Sequence, residues 1–538
     1  MSERTTGEER VGGRRVPRLA LVLLAAVAVA LAVAVPIWGV PGLLQRLTIN
    51  GVDDSGVLGA QAMRNLALTV SVDDPERLPL VEVRVDGQPA RTEVRDGRLH
   101  IDLSDLPDGT HELTARLPGW MMSLGGAEIT RKFTVDTVPP ELVVDPVRAT
   151  SLREPVAVTG VAKDAEHVTV QGQQVPLDAE GRFSVHIDPR AVIAQVVATD
   201  RAGNTTRQDV TIGVAHPGMR AVHMSAAAWA SPELREPVLQ MIRERRIDTV
   251  ELDIKDESGE VGYPSEVPLA REIGATRNHY DARQVIDQLH GMGVRVVGRL
   301  VAFRDPILGN ASWKEGKTHR LVLNTAGQPW SGYGQASFTN FADPEVRKYN
   351  IDLAVEAAKL GFDDILYDYI RRPDGALSRM RFPGLPEGKT PEQSIAEFLA
   401  ESREAIRPHG ALLGASVFGI ASTRPKEIAQ DIPAMARHAD YISPMLYPSH
   451  WAPGEYGVPN PNAQPYDIVV RSLPDFLKAV EGTSAQIIPW LQDFSLGHPY
   501  GDAEVIAQIR ASKENGISSF LLWNPACRYH AGALEPAT

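Results

Sequence analysis

From about Pro217 to its end, the chain repeats one alternation: a short apolar run, then, in most cases, a helix-patterned stretch. The apolar runs are "MRAVHMSA" (219–226), "DTVELDIKD" (248–256), "VRVVGRLVAF" (294–303), "GFDDILYDYIRRP" (361–373), "ALLGASVFG" (411–419), "DYISPMLYP" (440–448), "SAQIIPWLQDF" (484–494) and "ISSFLLWNP" (517–525). Between them lie stretches such as "SPELREPVLQMIRERR" and "DPEVRKYNIDLAVEAAKLG" (343–361), where Ile351, Leu353, Ala354, Ala357 and Ala358 fall on one helical face. Strands alternating with helices predict a parallel sheet, and eight of them predict a (β/α)8 barrel, the TIM barrel, over 217–538. An open doubly wound sheet would carry a Gly-rich phosphate turn after its first strand, and "HMSAAAWASP" has none.

The 538 residues exceed one ordinary domain, and 43% hydrophobic with 23% charged residues is a globular balance. A formal charge of −13 argues against nucleic acid as a partner, because a phosphate-backbone binder needs a basic footprint. One cysteine, Cys527, rules out an intramolecular disulfide and multi-cysteine zinc sites, and it reads as a core residue. The 14 histidines show no metal-binding spacing, so neither a catalytic metal nor a cofactor is expected.

At the amino end Arg10, Arg14, Arg15 and Arg18 precede "LALVLLAAVAVALAVAV", and "PIWGVPGLL" extends the apolar stretch to Leu44. The reading is a cytoplasmic basic tail (1–18) and a transmembrane anchor (19–44), leaving the rest outside the cell as a single-pass membrane protein. The alternative is secretion after signal cleavage at "AVAVP". Residues 50–215 carry short alternating strands with an internal repeat: "VRVDGQ" (83–88) returns as "VTVQGQ" (168–173), and "RLHIDL" (98–103) as "RFSVHI" (182–187). "FTVDTVPPELVV" (133–144) joins the halves; with "ATDRAGNTTRQDVTI" it resembles bacterial immunoglobulin-like surface modules, which implies two all-β sandwiches, at 50–137 and 138–215. These read as spacers.

Barrel active sites lie at the carboxyl ends of the strands. Alternation in "DDILYDYIRRP" puts Asp364 at the start of the fourth strand, as a structural residue, and Asp368 at its end, reaching the pocket. The second strand offers Asp253 and Lys255 on one face with Asp256 entering the loop; the seventh delivers Asp493. Carboxylates from different strands around one cleft suit glycoside hydrolysis. Arg371 and Arg372 beside Asp368 favour its ionised form, hence a nucleophile or ion-stabilising base. Asp493, among Trp490, Leu491 and Phe494, suits the proton donor, with Asp256 competing. Asp253, Lys255 and Arg299 read as orienting groups, and Tyr367, Arg371, Tyr447 and His450 as further substrate contacts. Trp451, Trp490 and Trp523, with Trp229, Trp313 and Trp330, place indoles on the predicted rim, where they can stack on sugar faces.

"VELDIKDESGEVGYPS", "GFDDILYDYIRRP", "SVFG", "DYISPMLYPSHW", "PWLQDFSLG" and "LLWNPA" resemble, in this order, the bacterial family described as "putative glycosyl hydrolase domain", over roughly 217 to 530. The resemblance implies a TIM barrel and makes Asp368 correspond to the strand-four aspartate that amylase-like barrels use as nucleophile. The family pattern after that aspartate runs Tyr, Ile or Val, Arg, Phe, Pro; here Arg372 stands in place of the Phe. An amylase-like barrel also implies a glutamate at strand five, and "ASVFGIAS" has no acidic residue. The expectation is a membrane-anchored extracellular glycoside hydrolase acting on a surface or secreted polysaccharide. The alternative is a non-catalytic glycan-binding or envelope-organising protein on the same scaffold.

Overall fold

The computed structural model describes residues 45–537 except 53–55, 66–67, 120–125, 333 and 335. These described residues divide into two compact units: those up to 143 with 160–183 and 195–208, and those of 144–159 with 184–194 and from 209 onward.

In the second unit eight strands close a parallel barrel, numbered here β1 (Arg220–Met224), β2 (Thr249–Lys255), β3 (Arg295–Val301), β4 (Asp364–Asp368), β5 (Leu412–Phe418), β6 (Tyr441–Met445), β7 (Gln486–Ile487 and Trp490–Gln492, interrupted at Pro489) and β8 (Phe520–Trp523). Each pairs in parallel with the next, and β1 closes the ring on β8 through Arg220–Val222 against Phe520–Leu522. β2 is buried along its whole length, as a parallel strand covered on both faces must be. Val250, Leu252 and Ile254 join the core under the helices, while Ala221, Val297, Leu366, Tyr441, Ile488 and Leu521 fill the barrel interior.

The crossover helices follow from local chemistry. Helix α1 (Pro344–Leu360) starts with Pro344 behind Asp343, whose side chain accepts the amides of Glu345 and Val346. It stops at Gly361, whose φ of 116° suits only a residue without a Cβ. Leu353, Ala354, Ala357 and Ala358 are buried on the expected face; Ile351 is half-buried. Helix α2 (Pro391–Ile406) opens with a capping box between Thr390 and Gln393.

The expected sequence of a transmembrane helix, two immunoglobulin-like sandwiches and a barrel is corrected outside the barrel. The anchor segment at 19–44 lies outside the described residues, and among those described no helix is long and apolar enough to cross a membrane. The β region is not two equal sandwiches. Residues 47–135 form a four-stranded and a five-stranded sheet over one core that includes Val70, Ile101, Leu113 and Phe133. Residues 141–214 form three sheets, of three, two and four strands, and this stretch is divided between the two units.

The repeat that suggested equal modules is a repeated hairpin. "VRVDGQ" is strand Glu82–Val85 turning through Asp86 (φ 49°) and Gly87 (φ 76°). "VTVQGQ" is strand His167–Val170 turning through Gln171 (φ 52°) and Gly172 (φ 77°). Two successive positive φ values make the two-residue turn that matches strand twist. A hairpin of this kind is a local signal and does not fix how its sheet closes.

Candidate active site

At the carboxyl ends of the strands lies a cavity of about 280 Å³, lined by Asp368 and Tyr369 from the end of β4, Arg299 from β3, Ser416 and Phe418 from β5, Met445 from β6, Trp490 from β7 and Trp523 from β8. Glu257, Arg371, Gly419, Tyr447, His450 and Trp451 enter from the loops.

The cavity is organised by one guanidinium. Arg299, 1% exposed, donates from Nε (3.0 Å) and Nη2 (2.7 Å) to Asp368 Oδ2, and from Nη1 to Asp253 Oδ1 (2.9 Å). Its Nη2 also donates to Glu257 Oε1 at 3.0 Å, and the whole group stacks over Trp523, 5.0 Å from the ring centre. Burial opposes this charge, but Glu257, Asp253 and Asp368 outweigh it and hold Arg299 protonated. Burial also works to raise Glu257; Arg299 overrides it and holds the carboxyl at about 2.

Below this cluster, His223 Nε2 lies 3.0 Å from Asp253 Oδ1 and its ring packs 4.2 Å from Trp523. Burial works against the imidazolium, yet Asp253 carries His223 up to about 10. Glu251, one layer deeper on β2, is fully buried with no protein partner for either oxygen, and burial pushes it up to about 8. Carried neutral at physiological pH, it avoids the cost of an unpaired buried charge.

Asp368 is held by strained backbone. Tyr369 has φ 49°, sparsely populated for any residue with a side chain. The amides of Ala302 and Phe303 fix the carbonyls of Asp368 and Tyr369, and the Tyr369 amide donates to Asp368 Oδ1 at 2.7 Å. Oδ2 thus accepts twice from Arg299, whereas Oδ1 accepts once and keeps a lone pair.

The structure brings together Asp368, Arg299, Arg371, Tyr447, His450, Trp451, Trp490 and Trp523 at the cavity wall. Asp253 stands one step behind, on Arg299 and His223. Four predicted site residues are elsewhere. Asp493 accepts the backbone amide and ring Nδ1–H of His530; burial raises its carboxyl while His530 works against that. Asp256 binds its own loop, accepting from Ser258 N, Ser258 Oγ and Glu260 N. Lys255 points into the helix layer, donating to Asp305 (2.7 Å) and Asn350 (2.9 Å), because the register with β3 shifts between Asp253 and Lys255. Tyr367 also faces outward, packed 4.9 Å from Phe398.

The partner of Asp368 is Arg299, not the neighbouring arginines. Arg371 lies over Phe418, Tyr369 and Phe338, and Arg372 bonds the carbonyls of Pro373, Gly375 and Lys426, tying down the loop. On β5, where an amylase-like pair would need a glutamate, Ser416 accepts from Trp490 Nε1 at 3.1 Å. Asp364 is structural, as expected: it lies at the opposite end of β4, between His216 (3.0 Å) and Arg295 (2.6 Å). Among the other tryptophans, Trp229 is buried in the core and Trp330 packs on Val322, Phe338 and Met380. Sequence reasoning missed Glu257; its signal was a second acid directly after Asp256 in "DESG".

The family model described as "putative glycosyl hydrolase domain" matches residues 221–529. No curated protein matches the chain. Among solved structures, the chain is similar to a hypothetical protein from Ruminiclostridium thermocellum ATCC 27405, at 33% identity, covering 36% of this chain and 96% of that one, with a TM-score of 0.32. It is also similar to the PgaB (BpsB) glycoside hydrolase domain from Bordetella bronchiseptica, at 14% identity over 58% and 95% of the two chains, TM-score 0.45. A variant of the PelA glycoside hydrolase domain from Pseudomonas aeruginosa aligns at 16% identity over 58% and 97%, TM-score 0.35.

Proposed function

This chain belongs to the putative glycosyl hydrolase domain family, and from that premise we propose that it hydrolyses glycosidic bonds at Asp368, in a polysaccharide carried on or shed from a cell surface. The observation that carries this reading is Asp368 itself: a carboxylate at the convergent end of the barrel, oriented by Arg299 and by the strained Tyr369 peptide, opening into a cavity walled by Trp451, Trp490 and Trp523. An ionised oxygen held in this way can attack, or stabilise, an anomeric carbon as it becomes cationic. The indoles give the cavity an apolar wall against which a sugar ring can pack, with no matching demand for charge. The arginine-flanked apolar run at the amino end supports an exported barrel and therefore an extracellular polymer.

The test is to incubate the full chain and Asp368→Asn with a panel of bacterial envelope and exported polysaccharides and to measure new reducing ends. The proposal expects release by the wild type and a loss of at least about 10²-fold in the variant. Binding without cleavage by both proteins would instead fit a glycan-binding barrel and refute hydrolysis.

A further inference from the structure

The reading of Asp368 as the reacting carboxylate leaves the proton donor unassigned, since Asp493 and Asp256 are committed elsewhere. Resting on that reading, we propose that Glu257 is the general acid and base that works opposite Asp368, and that hydrolysis retains the anomeric configuration.

Three observations carry this. Among the described residues, Glu257 and Asp368 are the two carboxylates that line the cavity. Both sit on the same atom: Glu257 Oε1 is 3.0 Å and Asp368 Oδ2 2.7 Å from Arg299 Nη2. Those two oxygens are therefore no more than about 5.7 Å apart, a bound nearer the roughly 5–5.5 Å of a retaining pair than the 6.5–9.5 Å of an inverting one. Third, the two are held unequally. Asp368 ends a buried strand and is fixed by three hydrogen bonds, whereas Glu257 is on the β2 loop, with its side chain 31% exposed, and reaches Arg299 through one. The less constrained carboxyl is the one free to follow a leaving group.

Protonation follows from what Arg299 does. The charged groups around Glu257 are Arg299 on β3, Asp368 on β4, Asp253 and Asp256 on β2 and its loop, and His223 on β1. In the empty cavity Arg299 keeps Glu257 ionised; a sugar that separates them removes the largest influence favouring the charge, so that burial, which favours the acid, is opposed only by the Glu257 backbone amide and His223. The protonated carboxyl then gives its proton to the glycosidic oxygen as that C–O bond breaks and Asp368 Oδ bonds to the anomeric carbon. In the second half Glu257 takes a proton from water, the water oxygen bonds to the same carbon, and the ester to Asp368 breaks. One water is consumed and two hydroxyl ends appear, with both carboxyls restored.

The experiment compares the wild-type full chain, Glu257→Gln and Asp368→Asn on whichever envelope polysaccharide the wild type cleaves, following reducing ends, the pH profile and, by proton NMR, the first-formed anomer. Compared at matched folded fraction, since the ion pair with Arg299 is lost with the carboxylate, Glu257→Gln should lose about 10²–10⁴-fold in kcat and lose the alkaline fall of the pH profile; the wild-type product should have the retained configuration. Near-normal turnover by Glu257→Gln, or an inverted first product, would overturn the assignment of Glu257 while leaving hydrolysis at Asp368 intact. Full activity in Asp368→Asn, or no cleavage by the wild type, would instead remove the reading on which it rests.

Discussion

Arg299 sets the charge balance of the cavity, with Asp253, Asp368 and Glu257 all bonded to one buried guanidinium. Arg299→Met would leave the first two nearly buried without that partner, and breaking such a cluster typically costs about 3–5 kcal/mol, to be read from denaturant unfolding. The buried acid and base beneath it give a pH signature. Glu251 at about 8 and His223 at about 10 both lie above their ordinary values of 4.5 and 6.5. The stability each contributes is complete below the ordinary value and is lost as pH rises through the folded one. The thermal midpoint should therefore fall as pH rises from about 4.5 toward 10, and Glu251→Gln should flatten the first part of that fall, up to about 8. Glu257, depressed to about 2, has the opposite sign: its contribution holds above 4.5 and disappears as pH drops through 2. Asp368 was legible from where the apolar run of β4 stops. Its partner was not, because Arg371 and Arg372 are adjacent in sequence while Arg299 comes from the neighbouring strand.

Strand β2 shows how one element can defeat a period-two reading. Strict alternation puts Asp253 and Lys255 on one face, but Asp253 pairs with Arg299 and Lys255 with Leu300, so an extra residue is absorbed and Lys255 turns to the helix layer. Nothing in "ELDIKD" signals that shift, which depends on the strand beside it. Lys255→Met should thus lower stability by about 3–5 kcal/mol, because Asp305 is left buried and unpaired, and should leave the KM for polysaccharide unchanged. A raised KM at unchanged stability would put Lys255 back in the cleft. The same loop explains why Glu257 went unnoticed: beyond the bulge, alternation no longer says which of two adjacent acids faces the cavity.

For the whole molecule, the eight-strand count was the reliable signal, because the strands are almost wholly buried and several crossover helices carry their own caps. The β region was less legible: hairpin motifs repeat where sheets do not. The barrel's two ends are also distinct. Asp364, with His216 and Arg295, belongs to the amino end, so Asp364→Asn should lower the thermal midpoint while turnover per folded molecule holds. The claim that chemistry belongs to the Arg299 cavity is tested most directly by comparing Asp368→Asn with Asp493→Asn, at matched folded fraction, on a polysaccharide the wild type cleaves. The account predicts a loss of at least about 10²-fold in Asp368→Asn and near-normal turnover in Asp493→Asn, whose carboxylate is bound to His530. The reverse pattern would contradict it.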